Sequence, residues 1–235
     1  MKSQTMKKIV VLSGAGISAE SGISTFRDAG GLWENHRIED VATYDAWVRD
    51  QDLVMKFYNL RRKQLHEVEP NAGHFALVKL EQKYDVQIIT QNVDDLHERA
   101  GSKNVLHLHG ELKKVRSTAD ASLVYELDGW ELKKGDVCEK GSQLRPHIVW
   151  FGEPVPMIIP AAQLASTADV FIVVGTSLLV YPAAGLIDYV AAKAPKYIVD
   201  PNARDIRHIS NLTVIAEKAG TGLVKLVDEL LHANN

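Results

Sequence analysis

Ile9-Val10-Val11-Leu12 runs almost directly into Gly14-Ala15-Gly16-Ile17-Ser18-Ala19 near the start of the chain. The apolar run predicts a buried β-strand, and the glycines predict a tight turn that opens a helix. A doubly wound α/β protein holds a nucleotide pyrophosphate at such a turn, because the bare backbone allows close approach and the helix N–H groups face the anion. Ala19 takes the third position of the G-x-G-x-x-G/A pattern. Taken alone, the stretch is also typical of an ordinary strand-to-helix turn.

The bulk composition indicates an ordinary globular protein. The chain has 235 residues, of which 24% are charged and 46% hydrophobic, and its formal net charge is −3. This length predicts one domain, or one domain with a small insert. The charge argues against a nucleic-acid partner, and no apolar run is long enough to span a membrane. The polar start at Met1–Met6 is unlike a secretory signal, and the single Cys138 suits a reducing compartment. We therefore expect a cytoplasmic monomer.

Short runs rich in Val and Ile alternate with helical patterns along most of the chain. This alternation predicts an α/β protein, a Rossmann-like doubly wound parallel sheet covered on both faces. The predicted strands lie at 8–13, 86–91, 105–107, 147–151, 170–175 and 197–200. The clearest predicted helices lie at 160–168, 182–193 and 221–231.

Two stretches interrupt this alternation. Residues 32–83 are helical in pattern throughout, whereas residues 113–144 are polar and irregular. We interpret both as insertions that form a small second module, with residues 1–31, 84–112 and 145–235 forming the Rossmann-like domain. A cleft between the module and the sheet would be a natural ligand site.

Polar clusters follow two of the predicted strands, at the edge where α/β folds bind ligands. Thr90-Gln91-Asn92-Val93-Asp94 could hydrogen-bond a ribose or a carboxamide, or Asp94 could simply cap the next helix. Gly175-Thr176-Ser177 could provide a second phosphate or ribose contact, or form a common strand-to-helix turn.

Two further stretches contain candidate chemistry. His107 and His109 alternate with leucines, so both lie on one face of an extended segment and could bind metal, although no other ligand cluster lies nearby. His109 could be a general base, since its ordinary pKa is close to neutrality, or a structural residue. The apolar strand end Val149-Trp150-Phe151-Gly152-Glu153 could bind an extended peptide by strand addition, or be a core strand.

Taken together, these motifs match one family in order and spacing. The chain resembles the sirtuins, NAD-dependent protein-lysine deacylases, from Lys8 to about Leu231. The matching elements are Gly14-Ala15-Gly16-Ile17-Ser18, Phe26-Arg27-Asp28, Gln91-Asn92-Val93-Asp94, His109-Gly110, Val149-Trp150-Phe151-Gly152-Glu153 and Gly175-Thr176-Ser177. The compact bacterial type is the most similar.

The resemblance implies a mechanism. The acyl oxygen of an acylated lysine attacks C1′ of the nicotinamide ribose of NAD, and nicotinamide leaves. His109 then acts as general base on the ribose hydroxyl that receives the acyl group, with Asn92 as a second catalytic residue. Val149 and Phe151 would line the acyl-lysine channel. The implied NAD-binding residues are Gly14, Ala15, Gly16, Ser18, Ala19, Phe26, Arg27, Gln91, Asn92, Asp94, Gly175, Thr176, Ser177, Asp200, Asn202 and Ala219.

A subclass motif lies in the helical insert. Tyr58 and Arg61 match the Tyr-x-x-Arg of sirtuins that remove acidic acyl groups. The chemistry agrees, because residues three apart share a helix face and a guanidinium can hold a carboxylate in a bidentate pair. The alternative is that Arg61 is a surface cation, like its neighbours Arg62 and Lys63.

The chain departs from the family pattern at two places. Most sirtuins hold a structural zinc with two cysteine pairs, but here Ser117, Asp120 and Gly141 replace three of the cysteines and only Cys138 remains. We therefore expect no zinc, and packing around Leu123, Val124, Tyr125, Leu127, Trp130 and Leu132 must hold the module instead. Asp200 stands where the family usually has asparagine, which favours NAD over NADP because a carboxylate repels a phosphate.

Three functions remain open from the sequence. The first is an NAD-dependent lysine deacylase that is both a deacetylase and a desuccinylase. The second is a protein mono-ADP-ribosyltransferase, and the third is a non-catalytic NAD or ADP-ribose binding module. The presence of His109 and of the Tyr58 and Arg61 pair favours the first.

Overall fold

The computed structural model describes residues 6–24, 32–33, 36–176, 178, 180–203 and 209–233. Its strands are Lys8–Ser13 (β1), Leu32–Trp33 (β2), His36–Arg37 (β3), Asp85–Thr90 (β4), Val105–His107 (β5), Gly110–Ser117 (β6), Val124–Glu126 (β7), Leu144–Ile148 (β8), Val170–Val174 (β9), Lys196–Val199 (β10) and Leu212–Ile215 (β11). Its α-helices are Ala15–Ala19 (α1), Ile38–Val41 (α2), Tyr44–Arg49 (α3), Gln51–Leu65 (α4), Ala72–Leu80 (α5), Leu96–Ala100 (α6), Ile158–Ser166 (α7) and Val224–His232 (α8). A 3₁₀ helix spans Ala183–Tyr189 and a π-helical turn spans Ala219–Leu223.

A parallel sheet forms the centre of the molecule. Its six strands have the order β11-β10-β9-β1-β4-β5, and every pairing between neighbours is parallel. Numbered along the chain, these strands read 6-5-4-1-2-3, which is the order of a doubly wound Rossmann-like sheet. The predicted fold class is therefore confirmed, and the winding reverses between β1 and β9.

The sheet is covered on both faces because its strands alternate apolar side chains between two cores. In β1, Ile9 and Val11 point into the core formed with α5 and α8. Val10 and Leu12 point into the opposite core, formed with α7 and the 3₁₀ helix. All four side chains are fully buried. Strands buried on both faces read as continuous apolar runs, which is the pattern in the sequence.

A second, smaller sheet carries the rest of the core. It is antiparallel, with the order β7-β6-β8, and it packs with α2, α3 and α4 around one apolar cluster. Trp47, Phe57 and Tyr58 contribute aromatic rings from the helices, and Trp150 contributes another from the loop after β8. The aromatic residues of the helical insert therefore build the small module.

Four local predictions differ from the structure. Residues 32–83, predicted to be helical throughout, also contain β2 and β3. The strand predicted at 147–151 is β8, which ends at Ile148 and pairs antiparallel with β6 in the small sheet. The stretch 113–144, predicted to be irregular, contains most of β6 and all of β7. The helix predicted at 182–193 is shorter and has 3₁₀ geometry. Strand β11 was missed, because Leu212–Ile215 is a short apolar run between polar segments.

Packing also refines the predicted division of the chain. Helix α5 lies within the stretch 32–83 assigned to the small module, yet its Ala76, Leu77 and Leu80 pack on the large sheet. Strand β8 begins at the assigned boundary and belongs to the small sheet. The two-module division with its boundaries stays a prediction.

Buried polar contacts on α4 fasten the small module. The Asn59 side-chain amide donates to the Leu132 carbonyl (2.9 Å), and its oxygen accepts from the Leu132 N–H (3.0 Å). Arg62, 1% exposed, donates to Asn59 (2.5 Å), to the Trp130 carbonyl (2.9 Å) and to the Leu112 carbonyl (3.3 Å). Burial lowers the pKa of Arg62 to about 10. One turn of α4 thus connects the backbone at Trp130 and Leu132 to the backbone of β6 at Leu112.

The positions expected to replace the zinc cysteines form ordinary polar contacts. The Cys138 thiol donates to the Ser117 hydroxyl (3.3 Å), and Lys140 pairs with Asp120 (2.7 Å). Of the apolar residues expected to hold this region, Leu132 is buried, and Tyr125 and Leu127 pack against the core cluster. Val124 and Trp130 are each 37% exposed, so that part of the expectation is wrong.

We predict that Asn59→Leu lowers the free energy of unfolding by about 3 kcal/mol, because it leaves Arg62 and both backbone groups of Leu132 without their buried partner. The measurement is equilibrium unfolding in urea. Leu60→Asn is the matched control, since Leu60 is the next residue and is 53% exposed, so the change should stay within about 0.5 kcal/mol. Equal effects of the two substitutions would refute the anchoring role of Asn59.

Candidate functional site

Two turns meet at the carboxyl edge of the sheet, where the winding reverses. The Gly14 N–H donates to the Val174 carbonyl (3.0 Å), and the Gly16 N–H donates to the Gly175 carbonyl (2.8 Å). Gly175 has φ +64°, and a Cβ there would lie 2.3 Å from the Ile17 nitrogen. A Cβ on Gly16 would lie 2.7 Å from the Gly175 Cα. Glycine is required at both positions because the two turns touch.

This contact gives a physical reason for Gly16 besides the one expected. The missing Cβ makes room for Gly175, and the close approach of a phosphate to this backbone stays a prediction. The helix after the turn, α1, has only five residues. The N–H groups of Gly16 and Ile17 at its start are already bonded within the protein. Ala15 is half-buried and Ala19 is exposed at the helix end.

The segment after β4 folds onto this turn. The Asn92 side-chain amide donates to the Gly14 carbonyl (3.2 Å) and to the Ser18 hydroxyl (3.1 Å). The Asn92 backbone N–H donates to the Thr90 hydroxyl (3.0 Å). Asn92 is buried, and two hydrogen bonds fix the orientation of its side-chain amide. The structure thus brings the first and second predicted clusters into one site.

Asp94 lies beside them as a buried carboxyl group. It accepts hydrogen bonds from the Leu96 N–H (3.2 Å) and from the Ser18 hydroxyl. Burial raises the pKa of Asp94, and these bonds together with the charge of Arg61 oppose that rise. Part of the helix-capping alternative is also observed, since the Asp94 side chain accepts a hydrogen bond from the backbone N–H of the first residue of α6. Asn92, Ser18 and Asp94 form a continuous donor chain.

His109 follows β5 and faces the same segment. Its Nδ1 lies 3.1 Å from the Gln91 carbonyl oxygen, and burial lowers its pKa below 6.5. A carbonyl can only accept, so Nδ1 carries the proton and Nε2 has a lone pair. The Gln91 side chain donates to the Thr176 hydroxyl (3.3 Å), which links β4 to the turn after β9. The imidazole is therefore oriented and neutral at physiological pH.

The neighbouring His107 has a different environment. Its Nδ1 contacts the Asn92 carbonyl (3.0 Å) and its Nε2 contacts the Glu98 carboxylate (2.8 Å). Burial alone would lower the pKa of His107, but the hydrogen bond and charge of Glu98 raise it. His107 thus stabilises the backbone conformation at Asn92. Both ring nitrogens are in use, which leaves none for a metal ion.

Within the described ranges, no three His, Cys, Asp or Glu side chains come together in a way that could hold a metal ion. The metal-binding interpretation of His107 and His109 therefore has no third ligand there.

Tyr58 and Arg61 lie three residues apart on α4, the helix that packs with the small sheet. Tyr58 is fully buried and Arg61 is 9% exposed, so Arg61 is not a surface cation. The Tyr58 oxygen accepts from the Trp150 indole N–H (3.0 Å). Burial raises the pKa of Tyr58 to about 12, while the charge of Arg61 lowers it. The positive charge of Arg61 also opposes the rise in the pKa of Asp94.

Val149 and Phe151 extend from β8 past the site. The Val149 N–H donates to the His109 carbonyl (2.9 Å), and the Phe151 N–H donates to the Ala42 carbonyl (3.0 Å). Val149 is half-buried and Phe151 is 46% exposed. Val149 is therefore held beside His109, and Phe151 is held beside the end of α2.

The remaining predicted residues lie at the far end of the sheet edge. Asp200 directly follows β10, is buried, and accepts from the Asn202 N–H (2.8 Å). Asn202 is exposed, and Ala219 is buried at the start of the π-helical turn, against Gly73. Predicted residues Phe26, Arg27 and Ser177 lie outside the described residues.

Three residues that support the site had no role assigned from the sequence: Arg145, Trp150 and Glu153. Arg145 forms a bidentate ion pair with Glu153 (2.6 and 3.0 Å), and its guanidinium stacks 3.4 Å from the centroid of the Trp150 ring. In the sequence, an arginine and a glutamate lie on either side of two aromatic residues. Nothing in the sequence indicates that the two charged residues form an ion pair.

None of the helices described is both long and apolar enough to pass through a bilayer.

Three comparisons with known proteins agree. An NAD-dependent protein deacylase of Bacteroides thetaiotaomicron is 52% identical over 233 residues, which cover 97% of this chain and 100% of that protein. A Sir2 homologue solved in complex with NAD has a TM-score of 0.85 at 40% identity, over 96% of this chain and 90% of that one. A Sir2 protein solved with an acetylated peptide has a TM-score of 0.79 at 29% identity, over 97% and 95% of the two chains.

The Sir2 family model matches residues 14–182, which include the glycine turn, the segment after β4, His109 and the loop after β8. The resemblance inferred from the motifs is thereby confirmed, and the chain belongs to the Sir2 family.

Proposed function

We propose that this protein is an NAD-dependent protein-lysine deacylase, acting as deacetylase and desuccinylase. The acyl group passes from the lysine to ADP-ribose, and nicotinamide is released. One observation carries the proposal: a neutral, oriented His109 lies beside Gln91 and Asn92 at the reversal point of the sheet. Membership of the Sir2 family and a relative named as an NAD-dependent deacylase support it.

The residues present suit NAD. Hydroxyl, amide and carboxyl groups converge at the edge where doubly wound sheets bind dinucleotides. Gly14–Ser18 with Gly175 and Thr176 would hold the diphosphate, and Gln91, Asn92 and Asp94 the nicotinamide ribose. Asp200, Asn202 and Ala219 would hold the adenosine end, and we assign Ala15, Ala19, Phe26, Arg27 and Ser177 to the same cofactor on sequence grounds. When bound, NAD supplies an electrophilic ribose carbon and the hydroxyl that accepts the acyl group.

His109 is the proposed general base. Its Nδ1–H is held by the Gln91 carbonyl, so the Nε2 lone pair is available for the proton of an alcohol. Burial keeps the ring neutral, because it disfavours the imidazolium form. Asn92, with its amide fixed by Gly14 and Ser18, presents its remaining polar groups in one orientation. Preorganised groups of this kind lower the cost of reaching the transition state.

Tyr58 and Arg61 are proposed to select acidic acyl groups. Burial strengthens the attraction between a guanidinium and a carboxylate, and the phenol with a pKa of about 12 remains a hydrogen-bond donor. A succinyl group ends in such a carboxylate. Val149 and Phe151 would line the channel through which the acylated lysine of a protein enters.

We further propose that the small module holds no zinc. Ser117, Asp120 and Gly141 stand at three of the expected cysteine positions, and one thiol cannot form a thiolate zinc site. The Asn59 and Arg62 contacts described above provide a non-metal anchor for this region.

We predict that Arg61→Met lowers kcat/KM for a succinyl-lysine peptide about 10- to 100-fold relative to the matched acetyl-lysine peptide, because it removes a charge-assisted bidentate contact. Product formation with NAD is followed by mass spectrometry on one peptide sequence carrying either group. Lys63→Met is the matched control, since Lys63 is exposed two residues further along α4 and should leave the ratio unchanged.

Other results would favour another function. Removal of acetyl but not succinyl from the wild-type protein would make it a plain deacetylase and refute the role of Tyr58 and Arg61. Transfer of ADP-ribose to protein without loss of either acyl group would indicate the mono-ADP-ribosyltransferase. NAD binding without any product would indicate the non-catalytic module.

We predict that the acid limb of kcat/KM has its inflection below pH 6.5 with an acetyl-lysine peptide, whose acyl group does not titrate. The reason is that burial lowers the pKa of His109, so its basic form persists as the pH falls to 6.5 and is lost only below it. The measurement is kcat/KM from pH 5 to 9. Arg61→Met should leave the inflection in place. An inflection above pH 6.5 would contradict the assignment of His109 as the base.

A further inference from the structure

We propose that Trp150 is a positioning residue that aims the Tyr58 hydroxyl at the carboxylate of an acidic acyl group. Succinyl selectivity would then depend on an indole N–H outside the Tyr-x-x-Arg motif. This inference rests on the proposed acidic-acyl activity of Tyr58 and Arg61.

The contact has only one possible direction. The Trp150 Nε1 lies 3.0 Å from the Tyr58 oxygen, and an indole nitrogen can only donate. The Tyr58 oxygen must therefore accept, and its own proton points away from the indole. Tyr58 is fully buried and Trp150 is 2% exposed, so water cannot compete for this bond from outside. The hydroxyl is held as a directed donor.

The indole is itself immobilised on three sides. The Arg145 guanidinium stacks 3.4 Å from its ring centroid, and the Trp150 backbone N–H donates to the Glu153 carboxylate (2.8 Å). The Trp47 ring packs with a centroid distance of 5.8 Å. The Arg145 and Glu153 ion pair closes this frame. A donor fixed in this way can impose its orientation on the phenol, because rearranging it would break the buried ion pair.

The bond also suits the phenol to its task. Accepting a hydrogen bond polarises a hydroxyl and makes it a better donor. The Trp150 bond accordingly opposes the effect of burial on the pKa of Tyr58, which still reaches about 12, so the proton remains on the oxygen. Arg61, one helix turn further along α4, adds the positive charge that a carboxylate needs.

Trp150 lies in the chain between the two residues proposed to line the acyl channel. These neighbours, Val149 and Phe151, donate their backbone N–H groups to the carbonyls of His109 and Ala42. The loop proposed to receive the acylated lysine therefore also carries the indole that bonds to Tyr58.

The test is a double-mutant cycle that measures the ratio of kcat/KM for succinyl- and acetyl-lysine peptides. The variants are Trp150→Phe, Tyr58→Phe and the double variant, with thermal unfolding of each. Trp150→Phe keeps an aromatic ring and removes the N–H, so we expect the ratio to fall about three- to tenfold. In the Tyr58→Phe background the same change should have no further effect. Trp130→Phe, which removes an indole N–H at a 37% exposed position outside the contacts that hold Trp150, should leave the ratio unchanged.

A second substitution tests the same inference if the Trp150→Phe variant does not fold. Site-specific replacement of Trp150 by 3-benzothienylalanine keeps the bicyclic shape and lacks only the N–H, so the same fall in the ratio is expected.

The outcomes separate this inference from the proposed function. An unchanged ratio in the Trp150 variants, with the ratio lowered in Tyr58→Phe and Arg61→Met, would overturn the inference and leave the acidic-acyl pocket standing. An equal fall in the wild-type and Tyr58→Phe backgrounds would also overturn it, because Trp150 would then not act through the phenol. A wild-type protein that does not remove succinyl groups would refute the proposed acidic-acyl activity itself.

Discussion

The contact between the turns after β1 and β9 is the constraint on which the rest of the site depends. It joins the two halves of the doubly wound sheet at the point where the winding reverses, through the bond from Gly16 to Gly175. Any side chain at either glycine would separate the turns. Asn92 then bonds to the Gly14 carbonyl and Gln91 to Thr176, so the segment after β4 is positioned by the same pair of turns.

Electrostatics at this edge follow from burial. Burial raises the pKa of Asp94, and the positive charge of Arg61 opposes that rise, as it opposes the effect of burial on the pKa of Tyr58. The Ser18 hydroxyl and the Leu96 N–H compensate part of the cost of burying Asp94. Removing a buried charge is more consequential than removing a surface ion pair, because little solvent is present to replace it. The polar groups at this edge therefore contribute to the stability of the fold as well as to the site.

Most of the large sheet could be predicted from the sequence, because strands buried on both faces are recognisable as apolar runs. The small sheet could not, since the half-buried Lys113 and Lys114 interrupt the alternation of β6 and its pairing with β8 depends on distant contacts. Motif order placed Asn92 and His109 in one site. It did not reveal the contact of Gly16 with Gly175, nor the bond of Trp150 to Tyr58, because both belong to the tertiary structure.

Helix α4 shows how a short segment can serve two purposes. Tyr58 and Arg61 form one pair three residues apart, and Asn59 and Arg62 form the next, rotated by about 100° around the helix axis. Tyr58 of the first pair bonds to Trp150, and the second pair binds the backbone of the segment 130–132. A helix fixed by its second pair cannot rotate without moving its first. The hydrogen bonds that anchor the small module therefore also set the geometry of the proposed acyl pocket.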